Sequence, residues 1–211
     1  LKPGVQSGSE GSSGIFVRGG AADQNHFVLD EAPVYNPSHL FGFFSTFNAD
    51  AIKNVKLYKA GFPAQYGGKL SSVIDIRMRE GNQKDFNISG GLGLISSRLT
   101  VEGPIVKDKG AFILSGRRTY VDIFTSALNE ANKNNEDWAK IPDYSFYDIN
   151  LKANYTLGPN DRLFLSGYFG RDVFSLGDSF TNTYGNTVLN FRWNHLFSNK
   201  LFSNFSAIYS D

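Results

Sequence analysis

The chain has 211 residues, with 21 Lys+Arg against 20 Asp+Glu, a balance that gives no electrostatic reason to expect a nucleic-acid partner. It has no cysteine, which excludes disulfide frameworks, zinc knuckles and thiol catalysis. Its 19 Phe and 10 Tyr are many for a soluble domain, yet no apolar run approaches the roughly 18 residues of a membrane helix, so a membrane signal can lie only in strand alternation.

Two textures meet near Gly81. Before it, short apolar runs are broken by Gly, Pro, Asn and Asp. Ile15–Arg18 and Phe27–Leu29 read as short strands, and Asp30-Glu31-Ala32-Pro33 as the turn leading to Val34-Tyr35. The Ser7-Gly8-Ser9 and Ser12-Ser13-Gly14 stretches read as flexible loop. Asn48 suits the N-cap of a short helix over Ala49–Lys53. Val55–Lys59 then reads as a strand, Pro63–Tyr66 as a helical turn and Ser72–Arg79 as another strand.

After Gly81 the segments lengthen and alternate. Tyr147, Ile149, Leu151, Ala153, Tyr155 and Leu157 fall on one side of a strand, and Asp148, Asn150, Lys152, Asn154 and Thr156 on the other. One face is wholly apolar and bracketed by tyrosines, as in the aromatic girdles of membrane barrels. Leu189, Phe191 and Trp193 oppose Asn190, Arg192 and Asn194 in the same way. Leu163, Leu165 and Phe169 repeat the stripe more weakly. Short connections at 103–110, 157–161 and 197–200 alternate with long polar ones at 122–143 and 172–185, the pattern of periplasmic turns and extracellular loops. Seven strands are expected, near residues 85–94, 96–103, 111–121, 144–156, 162–171, 186–196 and 201–210. The fold class is therefore an all-β transmembrane barrel, present as about seven N-terminal strands, preceded by a mixed α+β domain. The expected domains are 1–81 and 82–211.

Ile15-Phe16-Val17-Arg18-Gly19-Gly20 resembles the I-x-I-R-G-G signature of TonB-dependent receptor plug domains, and Leu1–Val5 resembles the L-x-P-G-V that precedes it. Val28–Val34 is similar to the V-L-D-G-x-P-V hairpin of that family, with Glu31 where Gly is usual. Ala51–Gly81 resembles the segment that closes the plug, with Ile52, Val55, Leu57, Tyr66, Gly67, Val73 and Ile76 in its positions. The wording of Asn36–Phe44 is similar to a subgroup that often carries a carboxypeptidase-regulatory-like domain upstream. The resemblance implies a plug inside the barrel lumen and an outer-membrane location in a Gram-negative bacterium. Its expected partners are TonB with its inner-membrane energising complex, docking upstream of Leu1, membrane lipid and a surface lipoprotein. It also implies a fragment: this class closes with 22 strands, and seven leave open edges that hydrocarbon does not tolerate.

The residues give no sign of catalysis, cofactor or metal. His26, His39 and His195 are scattered without ligand spacing, and Asp30-Glu31 reads as a solvated turn. The resemblance puts the loops 21–26 and 35–46 at the plug apex, so Gln24, Asn25, Tyr35, Asn36, His39, Phe41 and Phe43 are the expected ligand contacts. For Phe41, Phe43, Phe44 and Phe47 packing against the wall is the weightier reading. Arg18, Lys59, Glu102 and Arg117 are the expected plug–barrel lock, with Lys59 in place of the family's second plug arginine. Lumenal Asp148, Lys152 and Arg192 are expected to hydrogen-bond the plug. The expected activity is active import of a siderophore, vitamin, glycan or peptide; the alternative is a transporter-like scaffold in an outer-membrane assembly.

Overall fold

The computed structural model describes residues 4–7, 14–59, 61–135, 137–177 and 180–211. Leu1–Pro3 of the first motif and the serine-containing stretch 8–13 lie outside them. Strands β1 (Val5–Ser7) and β2 (Ile15–Val17) pair antiparallel. A 3-10 turn over Ala22–Gln24 leads into β3 (Asn25–Leu29), which returns as β4 (Ala32–Val34). Asp30 and Glu31 form the two-residue turn between them, both at positive φ (46° and 78°), as hairpins with a primed turn require. A minimal hairpin, β5 (Ser38–His39) with β6 (Phe44–Ser45), follows. Strands β7 (Ile52–Tyr58) and β8 (Ser72–Met78) complete a four-stranded mixed sheet of order β4-β3-β8-β7, in which β3 and β8 run parallel.

The alternation seen in the sequence becomes the core. Phe27, Leu29, Ile74, Ile76 and Met78 face one way and are buried together with Ala32 and Val34. Val28 and Val73 face the other way and pack with Tyr66. The expected helix over 49–53 is instead a 3-10 turn over Ala49–Ala51, because β7 takes up Ile52 onwards. Asn48 does cap it, accepting from the Asp50 N–H at 3.1 Å.

Seven strands then form one antiparallel sheet in chain order: β9 (Asn87–Leu92), β10 (Ser96–Val106), β11 (Gly110–Thr119), β12 (Asp143–Thr156), β13 (Asp161–Leu176), β14 (Phe180–Ser198) and β15 (Leu201–Ser210). The strand count and order match the expectation. The 172–185 stretch differs, because β13 and β14 continue to Leu176 and from Phe180 and shrink the expected loop. The other long connection holds α1 (Val121–Ala131), whose apolar stripe Ile123, Phe124 and Leu128 is exposed.

The faces also fall as the alternation implies. Asn150, Lys152, Asn154 and Asn190 are buried on the inner face, while Ile149, Leu189, Phe191 and Trp193 are 39–47% exposed on the outer one. The inner face is buried because the plug packs on it: Tyr168 and Val188 belong to the plug's own apolar cluster. Between plug and wall the chain passes Gly81 at φ +80°, where an added Cβ would sit 2.3 Å from the Phe112 carbonyl oxygen. Only glycine fits that passage.

Candidate functional site

The site begins at the Asp30-Glu31 turn. Neither residue is a glycine, so their left-handed backbone costs free energy, and the side chains account for its persistence. Asp30 accepts from the Met78 N–H at 3.1 Å and pairs with wall Lys152 at 2.9 Å, with both side chains at most 5% exposed. Lys152 also donates to the Met78 carbonyl, and Asn190 donates to the Asp30 carbonyl. Glu31 binds Arg77 of the plug at 3.1 Å, Arg192 of the wall at 2.7 Å and Ser206 at 3.0 Å. Burial alone would raise the Glu31 carboxyl, but Arg77 and Arg192 hold it below the usual carboxylate range. The turn is thus an ionic foot standing on β12, β14 and β15.

A second group fixes the loop after β4. Asn186 donates to the Asn36 carbonyl at 2.7 Å and accepts its N–H at 2.9 Å, imitating a strand pair with one side chain. His39 is 1% exposed. Its Nδ1 lies 2.5 Å from Asp172 and its Nε2 3.5 Å from Asp148, and it stacks on Phe146 at 4.2 Å. Arg117 binds Asp148 at 2.5 Å and the Ser45 carbonyl at 2.8 Å. Tyr144 donates to Asp172, and both accept from the Leu40 N–H. Two buried carboxylates face one guanidinium, so a protonated His39 balances the cluster. Burial would lower the His39 pKa, but the bonds to Asp148 and Asp172 raise it above the ordinary imidazole value.

The expected lock residues are distributed differently. Arg79 Nη2 donates to both carboxylate oxygens of Glu102 at 2.8 and 2.9 Å, and Arg117 serves Asp148. Arg18 lies exposed at φ 50° in the turn after β2, and half-buried Lys59 follows β7. Arg79, Asp30, Glu31 and His39 make plug–wall contacts that the sequence did not assign to them. The R-G-G signature marks a backbone turn, with the Arg18 N–H donating to the Gly4 carbonyl. Asp148, Lys152 and Arg192 do face the plug as expected.

Among the expected ligand contacts, the structure separates packed from open side chains. Asn25 is buried and donates to the Ile15 and Ala22 carbonyls while accepting from Ser72. Gln24 accepts from the Ala21 N–H. Phe44 packs on Phe146 and Phe47 on Phe27. The side chain of Phe41 lies outside the described residues. Tyr35 and Phe43 are open, at 70% and 61% exposure. Tyr35 edges a cleft of about 310 Å³ shared with Asp23, His26, Lys69 and the Gly67-Gly68 backbone. Burial and then the charge of Lys69 lower the His26 pKa, so this imidazole stays neutral near pH 7. Sequence reasoning missed His26 and Lys69 because the parallel pairing of β3 with β8 brings them together, and no local pattern encodes that pairing.

Fold and site together define a plugged β-barrel wall: a small mixed sheet seated on the polar face of a long antiparallel one. Residues 2–73 match the sequence model of the TonB-dependent receptor plug domain, so this part of the chain is that plug, and the seven-stranded antiparallel sheet follows it. A comparison with curated proteins finds no match. Among solved structures, the chain is similar to the siderophore receptor PirA of Acinetobacter baumannii, at 18% identity and a TM-score of 0.67 over 99% of this chain and 36% of that one. The ferric enterobactin receptor PfeA of Pseudomonas aeruginosa gives 16%, 0.64, 99% and 37% by the same measures. The copper transporter OprC gives 10%, 0.63, 99% and 32%. The chain thus spans about a third of the length of these structures.

Proposed function

We propose that this chain is the gate and first wall of an importer in the outer membrane, energised by TonB acting on the plug from the periplasmic side. The observation that carries the reading is the chemistry of the plug–wall contact. It is built from ion pairs and side-chain-to-backbone bonds rather than a continuous apolar seam. Polar contacts of this kind exchange with water when pulled apart, so a plug held by them seals at rest and releases under force. The similar structures named for siderophores and copper support import in general; the cargo of this chain is a siderophore, vitamin, glycan or peptide.

Tyr35 and Phe43, with the cleft of His26 and Lys69, are the contacts we assign to that cargo, whereas His39, Asn25 and the Asn36 backbone hold the loop in place. Energy-dependent uptake by cells carrying the full-length protein tests the activity. Labelled ferric catecholate, cobalamin, oligosaccharide and oligopeptide are offered in turn, with and without a protonophore. Protonophore-sensitive accumulation of one of them supports import. A folded, surface-exposed protein that accumulates none would favour the scaffold. For the cargo so found, Tyr35→Ala with Phe43→Ala should weaken binding by roughly 5- to 150-fold, two aromatic contacts at roughly 0.5–1.5 kcal/mol each, without altering assembly.

A further inference from the structure

The outer face of the wall carries a second surface, unrelated to the plug. Register places Leu92, Ser97, Arg118, Tyr147 and Arg171 side by side on β9 to β13. The row beneath is Gly90, Leu99, Gly116, Ile149 and Phe169. Both rows point away from the plug, since their neighbours Arg117, Asp148 and Asp172 point into it. Gly116 leaves a gap between Leu99 and Ile149, and Gly90 another on the far side of Leu99; a groove of about 820 Å³ results, lined by Leu99, Val101, Leu114 and Ile149 and closed at one end by Arg118 and Tyr147.

Two cations at that end are out of keeping with an apolar wall. Arg118 is 53% exposed and spends one N–H on Asp122. Arg171 is exposed, and no acidic side chain pairs with it among the described residues. They stand two strands apart, about 10 Å, on either side of Tyr147. They lie at the end of the wall opposite the turns 107–109, 157–160 and 199–200, and α1 rises from the same row with Ile123, Phe124 and Leu128 exposed. An apolar groove ending in two guanidiniums at a membrane boundary matches an amphiphile with an anionic head, because arginine binds phosphate in bidentate fashion.

We propose that this groove holds a phosphate-bearing lipid of the outer leaflet, with acyl chain over Gly116 and phosphate between Arg118 and Arg171. The proposal rests on the outer-membrane reading above. Gly116 is the informative position: a Cβ there meets nothing nearer than the Asp148 carbonyl oxygen at 3.8 Å, so a larger side chain fills the groove without disturbing the sheet.

The test uses the full-length protein in a neutral maltoside detergent, titrated with bisphosphorylated lipid A under native mass spectrometry. The wild type should retain the lipid, and its dephosphorylated form should bind at least tenfold more weakly. Arg118→Gln with Arg171→Gln should weaken binding at least tenfold, and Gly116→Leu severalfold, while Lys200→Gln at the opposite rim should leave it unchanged. Equal retention by the double variant, or equal binding of the dephosphorylated lipid, overturns the proposal while leaving the barrel reading intact. Displacement of the lipid by millimolar inorganic phosphate overturns the acyl-chain assignment. A wild-type protein without the heat-modifiable mobility of a folded barrel overturns both readings.

Discussion

Every strand of the wall pairs with its sequence neighbour, from β9 to β15, whereas the plug sheet runs β4-β3-β8-β7 and ties Asn25 to Ser72 across 47 residues. The wall closes its backbone hydrogen bonds locally, so each hairpin is a complete unit of the sheet. Several of the plug's turns and loops close on the wall instead: the Asp30-Glu31 turn, the Asn36 backbone and the Leu40 amide all find partners on wall side chains. A domain whose charges are neutralised by its container is stable inside it and poised to rearrange when drawn out.

The largest test of that contrast is Lys152→Met, which keeps the volume and leaves Asp30 buried without its cation. Breaking one partner of a buried pair costs about 3–5 kcal/mol, and the loss should appear as plug release, read by protease access to residues 25–78 of the full-length protein. If the variant resists protease like the wild type, the turn is held by its backbone alone. The adjacent residue on the same strand probes the other face. Leu151→Arg should destabilise the barrel by about 2–4 kcal/mol near the bilayer midplane, measured by urea unfolding in lipid vesicles, with the plug contacts unaffected. Equal protease sensitivity in both variants would erase the distinction between the faces.

The smallest expected effect is a pH dependence at His39. The groups facing it are Asp148, Asp172, Arg117, Tyr144 and Tyr168. Its pKa is raised in the folded state, so its contribution is fully present below about pH 6.5, the unfolded imidazole value. The contribution is lost as pH rises through the higher folded value. The protection factor of the Leu40 amide (intrinsic rate over observed rate at each pH) should therefore fall from pH 6 towards pH 9, and His39→Gln should flatten that profile. A profile that is already flat in the wild type would remove the imidazolium from the latch.

The wall was legible because its signal has period two and repeats: Tyr147 to Leu157 states which face meets lipid before any partner strand is known. Helix α1 escaped notice because Tyr120 offers no capping side chain and its apolar stripe is short. The polar 172–185 segment became strand because β13 and β14 extend past the apolar band, where water-facing Thr, Asn and Ser pair as well as apolar residues do. In the site, Tyr35 is open as its loop position suggested, whereas Phe43, for which packing against the wall was the weightier reading, is open as well. His39 was misleading, since a histidine among aromatics looks open in sequence, and only the wall supplies the two carboxylates that bury it.

The sequence by itself determined the strand count, the two faces of β12 and β14, and the plug motifs, because alternation and turn chemistry act over a few residues. The tertiary structure alone decided which charges meet: Asp30 with Lys152, Glu31 with Arg192 and Glu102 with Arg79 rather than Arg18. Ion pairs between residues 23 to 161 positions apart leave no local trace. A charge chooses its partner only after packing has set which groups lose their water.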